Sequence, residues 1–158
     1  MALERVISGG QTGVDRAALD VAMKIGIDCG GWVPKGRFAE DGPLDISYPV
    51  QEMQTRSRSA RTEKNIMDSD GTLVIFNHKA DGGTALTIVL ADVNQRPLCE
   101  IDLGSTSMEE ALQTSLAWIA ANDIKVLNVA GPRKSKDPTI YETATAFLSL
   151  LFCMPEQT

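Results

Sequence analysis

The sequence predicts an α/β fold, with a doubly wound, mainly parallel sheet and helices on both faces. Three observations carry this. Short apolar runs alternate with segments of helical period along the 158-residue chain. The run at 72–76 is continuous and β-branched, as a parallel strand buried on both faces requires. Two of the runs, 3–7 and 72–76, lead into glycine turns that open helices. Alternation of this kind implies right-handed crossovers that place helices on both sides of the sheet.

The first strand, 3–7, leads into Ser8-Gly9-Gly10-Gln11-Thr12-Gly13. Val14, Ala18, Val21, Ala22 and Ile25 then recur at helical spacing, and Thr12 and Asp15 have the spacing of a capping box. A glycine turn before a helix leaves N–H groups that an anion can approach closely. The turn matches neither the dinucleotide fingerprint nor a Walker loop, because Gly10 and Gly13 stand too close and no lysine follows. A simple strand-to-helix connection is the competing reading.

A second strand spans 27–33 and is stopped by Pro34. The segment 34–49 holds three prolines and no sustained period. It is too long for an idle connection and reads as a functional loop or flap. Residues 51–68 are polar and helical in tendency, with Arg56, Arg58, Arg61 and Lys64 mostly on a solvated face and one arginine free to turn inward. After the strand at 72–76, residues 77–83 form a second glycine turn, and Thr84 is a natural N-cap for a helix to 93. A strand at 97–103, a helix at 105–121, a strand at 126–130 and a final helix at 138–152 complete one domain, 1–158.

Composition narrows the function. The net charge of −6 opposes general nucleic-acid binding. No run reaches the length of a membrane span and no signal pattern opens the chain, so the expected location is cytoplasmic. Cys29, Cys99 and Cys153 are scattered and read as buried thiols, and with one histidine, His78, a protein-held metal is not expected. The bases nevertheless gather at strand exits: Arg16 after the first, Lys35 and Arg37 after the second, Lys79 after the third, Arg133 and Lys134 after the fifth. Ligands of such sheets bind beyond the carboxyl ends of the strands, at the switch point. Placing the two glycine turns side by side gives the strand order 2-1-3-4-5. This arrangement predicts a small anionic ligand, a phosphate ester above all.

Seven ordered blocks carry a resemblance: Ser-Gly-Gly-Gln-Thr-Gly-Val-Asp-Arg-Ala (8–17), Gly-Gly-Trp-Val-Pro-Lys-Gly-Arg (30–37), Ala-Glu-Asp-Gly (39–42), Arg-Thr-Glu-Lys-Asn (61–65), Ser-Asp-Gly-Thr-Leu (69–73), Gly-Gly-Thr-Ala-Leu-Thr (82–87) and Asn-Val-Ala-Gly-Pro-Arg (128–133). Together they resemble the molybdenum cofactor carrier family, which is Rossmann-like and related to the lysine-decarboxylase-like nucleoside monophosphate phosphoribohydrolases. The resemblance implies binding of molybdopterin, a phosphorylated pterin, by Gly9, Gly10, Gln11, Thr12, Gly13, Arg16, Lys35, Arg37, Arg61, Gly82, Gly83, Thr84, Gly131 and Arg133. Asp15, Glu40, Asp41 and Asn128 would orient loops or accept hydrogen bonds from the ligand, with pairing to neighbouring bases the alternative for each acid. Trp32 is either a stacking platform or, as its place at a strand end suggests, a core residue.

The related hydrolases carry Pro-Gly-Gly-x-Gly-Thr-x-x-Glu after the equivalent strand, whereas this chain reads Asp81-Gly82-Gly83-Thr84-Ala85-Leu86-Thr87-Ile88-Val89. Losing the glutamate favours a binder over an enzyme. Glu40 or Asp41, delivered by the long loop, would be the substitutes in a nucleotide-hydrolysing alternative. Finally, Phe147, Leu148, Leu150, Leu151 and Phe152 make the last helix apolar around more than one face, which predicts a homo-oligomer.

Overall fold

The computed structural model describes residues 3–154; residues 1, 2 and 155–158 of the expected domain lie outside them. In chain order the elements are β1 (Arg5–Ile7), α1 (Val14–Ile25), β2 (Asp28–Gly30), β3 (Trp32–Val33), β4 (Phe38–Ala39), β5 (Gly42–Pro43), β6 (Gln51–Glu52), α2 (Arg58–Met67), β7 (Gly71–Phe76), α3 (Gly82–Val93), β8 (Leu98–Asp102), α4 (Met108–Ala121), β9 (Val126–Ala130) and α5 (Ile140–Cys153). Five strands make the all-parallel central sheet, in the order β2-β1-β9-β7-β8. Helices α1, α4 and α5 pack together on one face and α2 with α3 on the other. The chain is therefore α/β and doubly wound, as its pattern predicts.

The strand order corrects the expectation. In the numbering of the sequence reading it is 2-1-5-3-4, because β9 inserts between β1 and β7 rather than closing the far edge. Ile7 and Thr72 both sit opposite Asn128 in the two registers. The Asn128 amide donates to Thr72 Oγ1 at 3.1 Å, so the one polar side chain of this central strand is satisfied by its neighbour. Leu127 and Val129, flanking it, are wholly buried.

Each helix forms for a local reason. α1 turns Ala17, Ala18, Val21 and Ala22 toward the core and ends at Gly26, whose left-handed backbone (φ 92°) lets its N–H reach Ala22 O. α2 and α4 start at Ser57 and Ser107, which accept from Ala60 N and Glu110 N at 3.1 Å. α5 lies against α1 and α4, and its Phe147, Leu148 and Leu151 are buried within the chain. Internal packing thus accounts for three of its five apolar residues, while Leu150 is exposed and Phe152 half-buried. Truncating Phe147, at the centre of that packing, to alanine would cost about 3–5 kcal/mol.

Three further expectations change. The second strand breaks at Gly31 into β2 and β3, and β3 leaves the sheet to pair with β6. Residues 51 and 52 are thus strand, and α2 begins only at Arg58. α3 starts two residues before Thr84, with Asp81 at the N-cap, so Thr84 is a buried first-turn residue and not a cap.

The long segment 34–49 is a strap. Arg37 (φ 59°) donates to the carbonyls of Leu44, Asp45 and Tyr48. The hydroxyls of Tyr48 and Tyr141 both donate to the Asp20 carboxylate, at 2.5 and 2.6 Å, tying the segment to α1 and α5.

Candidate functional site

A cavity of about 310 Å³ opens at the carboxyl edge of the sheet, over the exits of β1 and β9 and between α2 and α3. Four basic side chains, Arg58, Arg61, Arg133 and Lys136, line it against two acidic ones, Asp15 and Asp81. In a chain of net charge −6, the basic side chains outnumber the acidic ones here, an electrostatic setting that suits an anion.

The two glycine turns behave differently. In the first, four N–H groups are bonded within the protein: Gly10 N to Ser8 Oγ at 3.4 Å, Gln11 N to Asp15 Oδ2 at 3.2 Å, Thr12 N to Gln11 Oε1 at 3.1 Å and Val14 N to Pro132 O at 3.2 Å. A carboxylate of the chain already occupies the start of α1. Gly13 (φ 81°) packs on the Pro132 carbonyl, and Gly131 on the Ile75 carbonyl and Val14, so these glycines lock the β9 exit onto α1. The second turn is open. Asp81 makes no side-chain cap bond to α3, and a side chain added at Gly82 or Gly83 would meet nothing within 4 Å. Of the chain's thirteen glycines, Gly83 is the one that neither a positive φ nor a crowded Cβ requires. An uncapped helix start with its dipole facing a basic cavity is a place for an anion.

Arg61 turns inward. It is 7% exposed, and its Nη1 donates to Gly9 O at 2.5 Å. Burial draws its guanidinium below its ordinary value, with Asp15 pulling the other way. Burial pushes the Asp15 carboxyl up to about 6, against the opposing pull of Arg61, the Gln11 N–H and Arg16. Arg61 and Asp15 thus face one cavity as a buried, oppositely charged pair.

Of the residues expected to bind ligand, Gly9, Gln11, Arg61, Gly82, Gly83, Thr84, Gly131 and Arg133 line this cavity. Gly10, Thr12, Gly13, Arg16, Lys35 and Arg37 are not among its walls. Arg16 forms a two-pronged pair with Asp41, at 3.0 and 3.1 Å, and donates to Gly10 O. Thr12 Oγ1 donates to Glu40 and accepts from Lys134 N. Glu40 also accepts from Ser135 N and Oγ and stands 3.5 Å from Arg133 Nε. Although desolvation raises it, the bonds from Ser135 and Thr12 hold the Glu40 carboxyl below its ordinary value. Glu40 and Asp41 therefore pin loops together and do not enter the cavity. The carboxylate within it is Asp15. Trp32 packs away from it too, donating to Asp68 with Lys64 over its ring.

Arg58, expected with its neighbours mostly on a solvated face, and Lys136, not among the expected site residues, also line the cavity. The Arg58–Arg61 spacing of three, which puts both on one helix face, was the available signal for the first. Lys136 comes into place only through the fold of the β9 exit.

A family model, the circularly permutated YpsA SLOG family, matches residues 6–152. The chain belongs to that family. The same fold occurs in the crystal structure of a putative molybdenum carrier protein from Syntrophus aciditrophicus, with a TM-score of 0.94 and 49% identity over 97% of this chain and 96% of that one. No curated protein matches the chain. For this SLOG family member the match covers every strand of the central sheet apart from the first residue of β1, and all the cavity walls. Among the described residues, no group of three or more His, Cys, Asp or Glu side chains is placed to hold a metal ion, and no helix is long and apolar enough to cross a membrane.

Proposed function

We propose that this protein binds a phosphorylated heterocycle in the cavity without converting it, and that the ligand is molybdenum cofactor. The observation that carries the reading is Gly83, a glycine without a packing or backbone reason, at the open start of α3 among Arg58, Arg61, Arg133 and Lys136. The phosphate would lie against the α3 N–H groups and Arg58, Arg133 and Lys136. The volume is at the lower end of small-molecule pockets. The donor set suits an organic anion, so molybdenum would arrive attached to its pterin. The name of the Syntrophus aciditrophicus relative supports that choice of ligand. Native mass spectrometry of protein purified from cofactor-producing cells tests it. A retained pterin phosphate mass is expected; a nucleotide mass, or an empty protein, would count against the cofactor.

Asp15 favours a second reading, that the ligand is a nucleotide and is hydrolysed. It is a carboxyl inside the cavity whose proton is held to about pH 6, the poise a general acid or base needs. Incubation with nucleoside monophosphates followed by assay for released ribose 5-phosphate decides between the two. No release above the Asp15→Asn background leaves the binder.

Homo-oligomerisation is part of the proposal. α3 exposes Leu86, Val89 and Val93 (38%, 55% and 69%), and α5 exposes Leu150 (49%). Sedimentation at micromolar concentration should give more than the monomer mass, and a monomer would remove this part.

A further inference from the structure

Among the cavity's polar side chains that are more than nine-tenths buried are Arg61 (7% exposed), Asp15 (8%) and Asn128 (3%), beside Asn65, Thr84 and Thr87. The first three form its floor and come from three elements, α2, the start of α1 and the central strand β9, and all line the same space. Each has polar atoms committed to the protein, and Arg61 has two, its Nε donating to Arg58 O at 3.4 Å. Arg61 Nη1 bonds Gly9 O, Asp15 Oδ2 accepts from Gln11 N, and Asn128 Nδ2 donates to Thr72 Oγ1. Among the described residues, Arg61 Nη2, Asp15 Oδ1 and Asn128 Oδ1 have no hydrogen-bond partner, and none of them is a fully enclosed orphan. They are therefore the atoms that face the cavity.

We propose that this floor selects a heterocycle by its edge, Arg61 Nη2 donating to a ring carbonyl oxygen while Asp15 Oδ1 and Asn128 Oδ1 accept from a ring N–H and an exocyclic amino group. That acceptor–donor–donor edge belongs to 2-amino-4-oxo-pyrimidine rings, the part that pterins and guanine share. The inference rests on the reading that the cavity binds a phosphorylated heterocycle, and it names the class.

Two arguments support it. Arg61 and Asp15 offset each other in charge, so the floor is polar but close to neutral, and Arg58, Lys136 and Arg133, whose Nε alone stands near Glu40, are left for the phosphate. At neutral pH the Asp15 carboxyl is also mostly ionised, since it titrates at about 6, and a carboxylate accepts only. An adenine edge would set its ring nitrogen, itself an acceptor, against these acceptors and leave them desolvated and unpaired, which is how a polar site rejects an analogue.

Calorimetric titration with GMP, IMP, AMP and neopterin phosphate is the test. Removal of the exocyclic amino group should make IMP weaker than GMP by about tenfold or more, with AMP at least as weak. In Asp15→Asn, the side chain turns an amide donor to the cavity when its oxygen keeps the Gln11 bond, and the GMP-over-IMP preference should shrink to within about twofold. Should that variant melt before wild type can be compared, Asn128→Ser carries the same comparison, and the wild-type ratio needs no variant at all. Equal binding of AMP or IMP with GMP, or an undiminished preference in the variant that folds, overturns the edge reading and leaves phosphorylated-heterocycle binding standing. Binding of none of the four overturns both. A preference for neopterin phosphate over GMP identifies the pterin as the source of the edge; the reverse identifies the nucleotide.

Discussion

Asp15 links the cavity to the stability of the protein. Its carboxyl titrates at about 6 in the fold against 3.8 as a free side chain, so between those values the native state holds the proton and the unfolded state does not. A raised carboxyl makes its contribution fully below pH 3.8 and loses it as pH rises through 6. Asp15→Asn removes that dependence. Relative to the variant, wild type should lose on the order of 2–3 kcal/mol between pH 4 and pH 7, read from urea melts of the two proteins at each pH; parallel curves would show that burial does not hold the proton. Arg133 tests the other side of the site. It reaches the cavity while its Nε stands near Glu40 in a half-exposed pair. Arg133→Ala should weaken a phosphorylated ligand by about 1.5–3 kcal/mol and change folding by less than about 1 kcal/mol. Unchanged affinity in calorimetry would move the phosphate away from the β9 exit.

Among the elements, α3 is the informative one. Its neighbours at the sheet edge start with their N–H groups engaged, α1 by Asp15 and Pro132 and α4 by Ser107. α3 alone of these three begins in open space on two glycines. Gly83→Ala should leave the fold intact and raise its stability by up to about 1 kcal/mol, because the chain loses freedom in the unfolded state and the added methyl meets nothing. It should nevertheless weaken binding of inorganic phosphate or a phosphorylated pterin several-fold, since the methyl group stands where the anion approaches. A variant that is more stable and binds equally well would leave Gly83 without a role. The strap 34–49 acts in the opposite sense to a lid. Glu40, Asp41 and Tyr48 fasten it to the β9 exit, to Arg16 and to Asp20, so Lys35 and Arg37 ride on a fixed loop.

In the molecule as a whole, the last strand of the chain lies in the middle of the sheet. β1 and β7 never pair with each other; each pairs with β9. Until residue 130 has been made, the sheet is two separate pairs, β1 with β2 and β7 with β8, and Leu127 and Val129 are missing from the core. A fragment of residues 1–124 should therefore show no cooperative thermal transition by circular dichroism, and adding the peptide 125–158 should restore one. A cooperative melt of the fragment alone would mean that β1 and β7 can close the gap between them. Non-local pairing of this kind places the loop-closure cost before the reward, so folding should wait on the C-terminal third.

The alternation of strands and helices, the two glycine turns and the bases at strand exits were all legible in the residues, because period, turn chemistry and charge are local properties. The inward turn of Arg61 was legible as a possibility within a polar helix, and the cavity gathers eight of the fourteen residues expected from sequence. The order of the sheet was not legible, since five short apolar strands satisfy the same pattern in several orders and only the bonding of β9 to both β1 and β7 selects one. The identity of the open glycine turn was hidden for the same reason. Gly10 and Gly83 look alike in sequence, but Asp15, Ser8 and Gln11 fill hydrogen bonds of the first turn, the Pro132 carbonyl packs on Gly13 and the Ile75 carbonyl on Gly131, while the space beside Gly82 and Gly83 is open. Sequence by itself determined which groups bring charge to the sheet edge; tertiary contacts decided which of their partners were already inside the protein, and so which were left to face a ligand.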